Sequence, residues 1–186
     1  MFNEEKATEL AACMLSWGGS MKFIKLLKLI YLTDREALDR EGHSISTDRW
    51  VSMKHGPVPI QTYNLIHQED DPDRHPVWNQ YIENQADYCI GLKKEVGINH
   101  LSEAERAIAE NVWKRYGHLP PWGSNGLVEL THRLPEWENP EENPHGPQAT
   151  PIPARRILLA LKKSDEEIQA ILALEQTDAW LDRILA

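Results

Sequence analysis

Among the acids of this 186-residue chain, Asp34 is the one placed to do chemistry. Set out at about 100° per residue, it falls near the middle of an apolar helix face that includes Phe23, Ile24, Leu26, Leu27, Ile30, Tyr31, Ala37 and Leu38. An unpaired charge in such surroundings is strongly disfavoured, so the carboxylate must be hydrogen-bonded or paired. One reading makes Asp34 a catalytic acid or base with a shifted pKa, with His55 as its companion. The other makes it an acceptor for backbone N–H groups of a nearby turn, around Gly56, or the partner of Arg49 or Lys54. No second acid stands at helical spacing on that face to complete a dyad, and Arg40 and Glu41 lie past the last turn. The structural reading is the stronger.

Metal and nucleophile patterns are absent. No two of the eight histidines stand three or four residues apart, and there is no His-Glu-x-x-His or Cys-x-x-Cys, so no metal site is expected. Cys13 and Cys89 are too few and too isolated for a disulfide framework and read as small buried hydrophobes. No Gly-x-Ser-x-Gly, P-loop or Gly-x-Gly-x-x-Gly occurs, and Gly123-Ser124-Asn125-Gly126 reads as a plain helix start. No cofactor is expected.

Lys22, Lys25 and Lys28 gather on the helix side opposite the apolar face, a spacing suited to phosphates or to simple solvation. Leu29 and Leu32 fall among them, and a mixed basic and apolar surface suits a protein partner better. They also indicate protein on both sides of this helix for part of its length. The net charge of −9 lies wholly beyond residue 60. Such a chain repels phosphate backbones, so nucleic acid is disfavoured and a basic protein is the better partner. The N-terminus has no secretory apolar run, and no stretch reaches the roughly 18 apolar residues of a membrane span. A cytoplasmic protein is expected.

The elements that must position these residues are mostly helical. Asn3 with Glu4 and Glu5 starts a helix that Gly18-Gly19 stops. Ser20 is expected to cap the second, running to about Arg40. Trp50 to His55 alternates like a short strand, Gly56-Pro57-Val58-Pro59 breaks it, and Ile60 to His67 is helical with Tyr63 and Ile66 inward. Residues 69–76 read as a polar loop, and Val77–Ile82 and Ala86–Leu92 as two β-runs. Ser102 with Glu105, and Ser164 with Glu167, are capping boxes. A short helix covers Gly126 to Arg133. Glu138 to Pro153, rich in proline, reads as an irregular loop, and helices follow through Ile157, Ile168 and Trp180. The pattern predicts one mainly α domain over residues 1–186, with about six to eight helices and a small β-hairpin or short strands.

Two segments carry a resemblance: Lys25-Leu26-Leu27-Lys28-Leu29-Ile30-Tyr31-Leu32-Thr33-Asp34, and Asp48-Arg49-Trp50-Val51-Ser52-Met53-Lys54-His55-Gly56-Pro57-Val58 followed by Tyr63. With Leu130-Thr131-His132, Leu134-Pro135-Glu136-Trp137 and Ile152-Pro153, they resemble the Panacea-domain family of SocA-like antitoxins, which also occur as phage-associated proteins. The resemblance implies a mostly helical antitoxin, commonly encoded beside a toxin, that neutralises it by direct binding. Family toxins are diverse, and include translation inhibitors and alarmone-synthetase-like enzymes. The resemblance supplies no catalytic residues; Asp34, Gly56, Pro57, Val58 and Tyr63 read as scaffold.

Expected partner contacts are the outer helix face with Lys22, Lys25, Lys28, Leu29 and Leu32, the Trp50–Val58 segment with Trp50, Met53 and His55, and the acidic Trp137–Glu142 loop with Trp137. Two other classes stay open: a small enzyme or ligand-binding protein built on Asp34 and His55, and a transcriptional regulator. The second requires salt-sensitive DNA binding, against which the net charge argues.

Overall fold

Helix α2 (Phe23–Glu41) is the axis of the molecule, and every residue from Leu26 to Asp34 on it is buried. A helix buried on all sides needs neighbours on all sides. They are α1 (Glu4–Gly18), α3 (Ile60–His67), α5 (Glu103–Tyr116), α6 (Leu127–His132) and α7 (Ala154–Ala160). The computed structural model describes residues 2–67, 76–97, 99–142 and 148–185. The polar loop expected over 69–76 lies almost wholly outside these residues, as do the side chains of Trp180, Leu181 and Leu185.

Local chemistry sets the helix starts. The Asn3 side chain accepts the Lys6 N–H, and the Ser102/Glu105 and Ser164/Glu167 boxes both close reciprocally. The second helix differs from its expected start. Its N-cap is Lys22, because Met21–Lys22 form strand β1 and the Ser20 hydroxyl donates instead to the Gln85 side chain.

The β structure is more than the expected hairpin. One antiparallel sheet has the order β1-β5-β4, with β4 Ile82–Gln85 and β5 Cys89–Leu92. The other has the order β3-β2-β6, with β2 Trp50–Met53, β3 Gly56–Pro59 and β6 Thr150–Ile152. Gly56–Pro59, read as a break, is thus a strand, and an edge strand tolerates the missing N–H groups of Pro57 and Pro59. Thr150–Ile152 pairs Trp50 with Ile152, so the predicted loop ends in a strand on the far side of β2. Val77–Ile82 is a further correction: Pro76–Tyr81 is helix α4, which buries Trp78, and only Ile82 belongs to a strand. The last helix, α8, spans Asp165–Leu185.

Among the described residues, two apolar clusters fill the interior. The larger joins α1, α2 and α5 through Leu10, Met14, Leu26, Ile30, Ile108 and their neighbours. The smaller packs Tyr31, Leu38 and Trp50 against Ile152, Ile157, Leu158 and Ile168. Cys13 is buried in the first, where burial raises its thiol pKa, while Cys89 is only half-buried.

Candidate binding cleft and the polar girdle behind it

Asp34 lies inside the fold, with its carboxylate ringed by donors. Oδ1 accepts the N–H groups of Ile45 (3.0 Å) and Ser46 (2.9 Å). Oδ2 accepts the Ser46 hydroxyl and the Trp50 indole Nε1–H (3.2 Å). Burial pushes its pKa up to about 6, while the donors pull the other way. The acceptor role expected for Asp34 is present, but its donors come from the Ile45–Ser46 turn, not from around Gly56. Asp48 repeats the device, taking the N–H groups of Gln61 and Thr62 (2.8 Å each) and the Thr62 hydroxyl (2.8 Å). It thereby caps α3 from a distance. Glu9 does the same for the N–H groups of Asn99, His100 and Leu101.

A second buried group is cationic. The Lys28 Nζ is sealed inside and donates to the Pro57 carbonyl at 2.7 Å, and desolvation holds its pKa well below the lysine range. Gly56 makes this possible. A Cβ there would meet the Lys28 Nζ and the Thr131 hydroxyl at 2.8 Å each, and its φ of +95° suits glycine. Glu136, also buried, accepts from the Tyr31 hydroxyl (3.0 Å) and from Arg35 Nε (2.6 Å). Burial and this carboxylate raise the Tyr31 pKa well above its usual value.

Above Gly56 the surface opens into a cleft of about 450 Å³. The hairpin tip forms one wall with Met53, Lys54, His55, Gly56 and Val58, and the start of α2 forms another with Lys22, Phe23 and Ile24. Tyr63, Tyr88 and Trp122 complete it. The rings are ordered against one another. His55 meets Trp122 edge-on at 5.0 Å, Phe23 meets Tyr88 at 6.2 Å, and Tyr63 stacks on His67 at 4.0 Å. At the mouth Tyr88 is 78% exposed and Trp122 48%.

Tyr88 is held there against its backbone preference. Asp87 and Tyr88 both sit at φ +58° in the turn closed by the Cys89 N–H to the Ala86 carbonyl. A bulky residue in that region carries about 1–2 kcal/mol of strain. The Phe23 N–H donates to the Tyr88 carbonyl at 2.9 Å, and Lys22 Nζ donates to the Asp87 carbonyl. Two residues that open α2 therefore anchor the turn that presents Tyr88.

Of the expected contact residues, Lys22, Met53 and His55 line the cleft, as do Gly56, Val58 and Tyr63. Lys25 is half-buried, donating to the Gly117 carbonyl at 2.7 Å. The outer-face reading of Lys28, Leu29 and Leu32 is corrected: all three are buried, because α5, α6 and β3 cover that side. Trp50 is buried too, on Asp34 and the smaller cluster. Trp137 lies behind the hairpin, stacked on His132 at 4.0 Å with its Nε1–H on the Met53 carbonyl. Asp34 and His55 are not brought together: the carboxylate is enclosed by Ile45, Ser46 and Trp50, whereas His55 stands exposed against Trp122.

Sequence reasoning places Phe23 and Ile24 on the apolar helix face, includes Lys54 only as part of the Trp50–Val58 segment, and overlooks Tyr88 and Trp122 as site residues. The signals were a tyrosine inside a polar hairpin turn and a tryptophan directly after Pro120-Pro121. Among the described residues, no group of three or more His, Cys, Asp or Glu is arranged to hold a metal ion. No helix among them is long and apolar enough to cross a membrane.

A mainly helical scaffold with a preformed aromatic cleft is the class that fold and geometry define. The chain belongs to the antitoxin SocA-like, Panacea domain family, whose model matches residues 26–138, more than half of its length. No curated protein and no solved structure matches it. The matched span contains Asp34, Lys28 and the cleft wall from Met53 to Tyr63. It leaves out Lys22, Phe23 and Ile24, and the Ile152-Pro153 pair as well.

Proposed function

We propose that this protein is the antitoxin of a toxin–antitoxin pair and neutralises its toxin, the product of an adjacent gene, by binding it directly in the cytoplasm. Family membership supports the antitoxin part. The observation that carries the binding part is the convergence of Tyr88, Trp122 and His55 on one concave, largely apolar surface. Exposed aromatic rings beside a preformed hollow are the usual energetic centre of a protein interface. The contact surface is the cleft and the hairpin tip, with Lys22, Met53, Lys54 and His55 on its walls; Lys28, Leu29 and Leu32 support it from inside.

Co-expression with the neighbouring gene's product tests this reading. Wild-type protein should restore growth and co-purify with that product. A Tyr88→Ala/Trp122→Ala variant should keep its melting temperature within a few degrees and lose both properties. Full rescue and co-purification by the double variant would refute the cleft as the contact surface.

A further inference from the structure

We propose that the occupant of the cleft is a short segment of the partner that inserts an aromatic side chain and carries an acidic residue beside it; this rests on the reading of the cleft as the partner-binding surface. The hollow, at about 450 Å³, has room for one or two large side chains. Its walls are Phe23, Ile24, Met53, Val58 and Tyr63, with Tyr88 and Trp122 at the mouth, and aromatic pairs prefer the edge-on and offset contacts such walls offer.

Charge selects the flanking residue. Among the described residues, Lys22, Lys54 and His55 line it and no aspartate or glutamate does, although the chain as a whole carries −9. This is a local reversal of sign, which attracts a carboxylate and repels a basic segment. Neither lysine is committed to a buried carboxylate. Lys54 pairs with Glu141 at 2.8 Å, but both side chains are more than half exposed, and such pairs contribute about 0–1 kcal/mol. Lys22 holds a neutral carbonyl, that of Asp87.

Backbone pairing contributes little to recognition here. The strand bordering the cleft, β3, is an edge strand, but Pro57 and Pro59 leave half of its residues without an N–H. Side chains, not strand addition, must therefore select the segment.

The test is panning of a phage-displayed random linear peptide library on the intact, immobilised chain, followed by fluorescence polarisation with peptides of the enriched sequence. The expected consensus has Trp, Phe or Tyr within two residues of Asp or Glu. Lys22→Gln/Lys54→Gln should weaken the consensus peptide about tenfold, the loss of two modest charge contacts. Tyr88→Ala/Trp122→Ala should abolish its binding. Enrichment of basic or uncharged sequences, no enrichment, or unchanged affinity in the lysine variant would each overturn the proposal. Co-purification with the neighbouring gene's product separates the two levels. If it depends on Tyr88 and Trp122 while the library returns no acidic aromatic consensus, the binding reading survives and the inference falls.

Discussion

Asp34 and Tyr88 are both dictated by their surroundings, in opposite senses. Around Asp34 four donors close on one carboxylate, and solvent does not reach it. Around Tyr88 the backbone is strained, the ring is open to water, and the hydrogen bonds from Lys22, Phe23 and Cys89 run to main-chain carbonyls. The first region uses polar groups to finish a fold. The second uses fold stability to hold a side chain where folding alone has no use for it. Strain of this kind concentrates at sites that bind.

The contrast can be broken most sharply from the inside. Asp34→Ala leaves the Ile45 and Ser46 N–H groups and the Trp50 indole without an acceptor, and should cost about 3–5 kcal/mol in urea denaturation. A loss below about 1 kcal/mol would mean that the girdle does not hold the turn. A smaller effect comes from protons. Asp34 titrates near 6 when folded and near 3.9 when unfolded, so the folded state keeps its proton to higher pH. The stability this gives is fully present below about pH 4 and is lost as pH rises to about 6, roughly 3 kcal/mol in all. Asp34→Asn does not titrate. The stability difference between wild type and this variant should therefore move by that amount in the variant's favour from pH 4 to 7. A constant difference would show that the four donors offset burial completely. The smallest effect has the opposite sign. Tyr88→Gly relieves the left-handed backbone and should raise stability by about 1 kcal/mol while weakening partner binding, read by thermal melts and co-purification. Loss of stability would show that the Tyr88 ring holds the turn and is not a burden on it.

What was legible in the sequence was mostly local. The Ser102/Glu105 and Ser164/Glu167 boxes and the Asn3 cap depend on residues three apart, so spacing alone reveals them. The need for Asp34 to be bonded was also legible, since burial on an apolar face forces it. Its donors were not, because a turn eleven residues away had to fold back onto the helix. Lys28 shows the limit most clearly. Three lysines at helical spacing describe a solvated face unless other segments cover it, and the covering comes from residues 57 and 131, far along the chain. The cleft was half legible for the same reason. The hairpin tip belongs to a recognisable motif, whereas Tyr88 and Trp122 reach it from turns whose direction is set by tertiary packing.

The pairing of β6 with β2 has a kinetic consequence. Strand β2 has β3 at hand across a two-residue connection, but its other edge waits for Thr150–Ile152, about a hundred residues later. Until that stretch arrives, one side of β2 is an open template for any other strand, and the Trp50 face that β6 and α7 cover stays wet. Closing so long a connection is slow compared with forming a hairpin. A growing chain therefore passes through an interval with the β2–β3 hairpin present and its neighbour missing. The last quarter of the sequence, beyond the family match, acts as the seal on that interval and sets how long the nascent protein is exposed to mispairing.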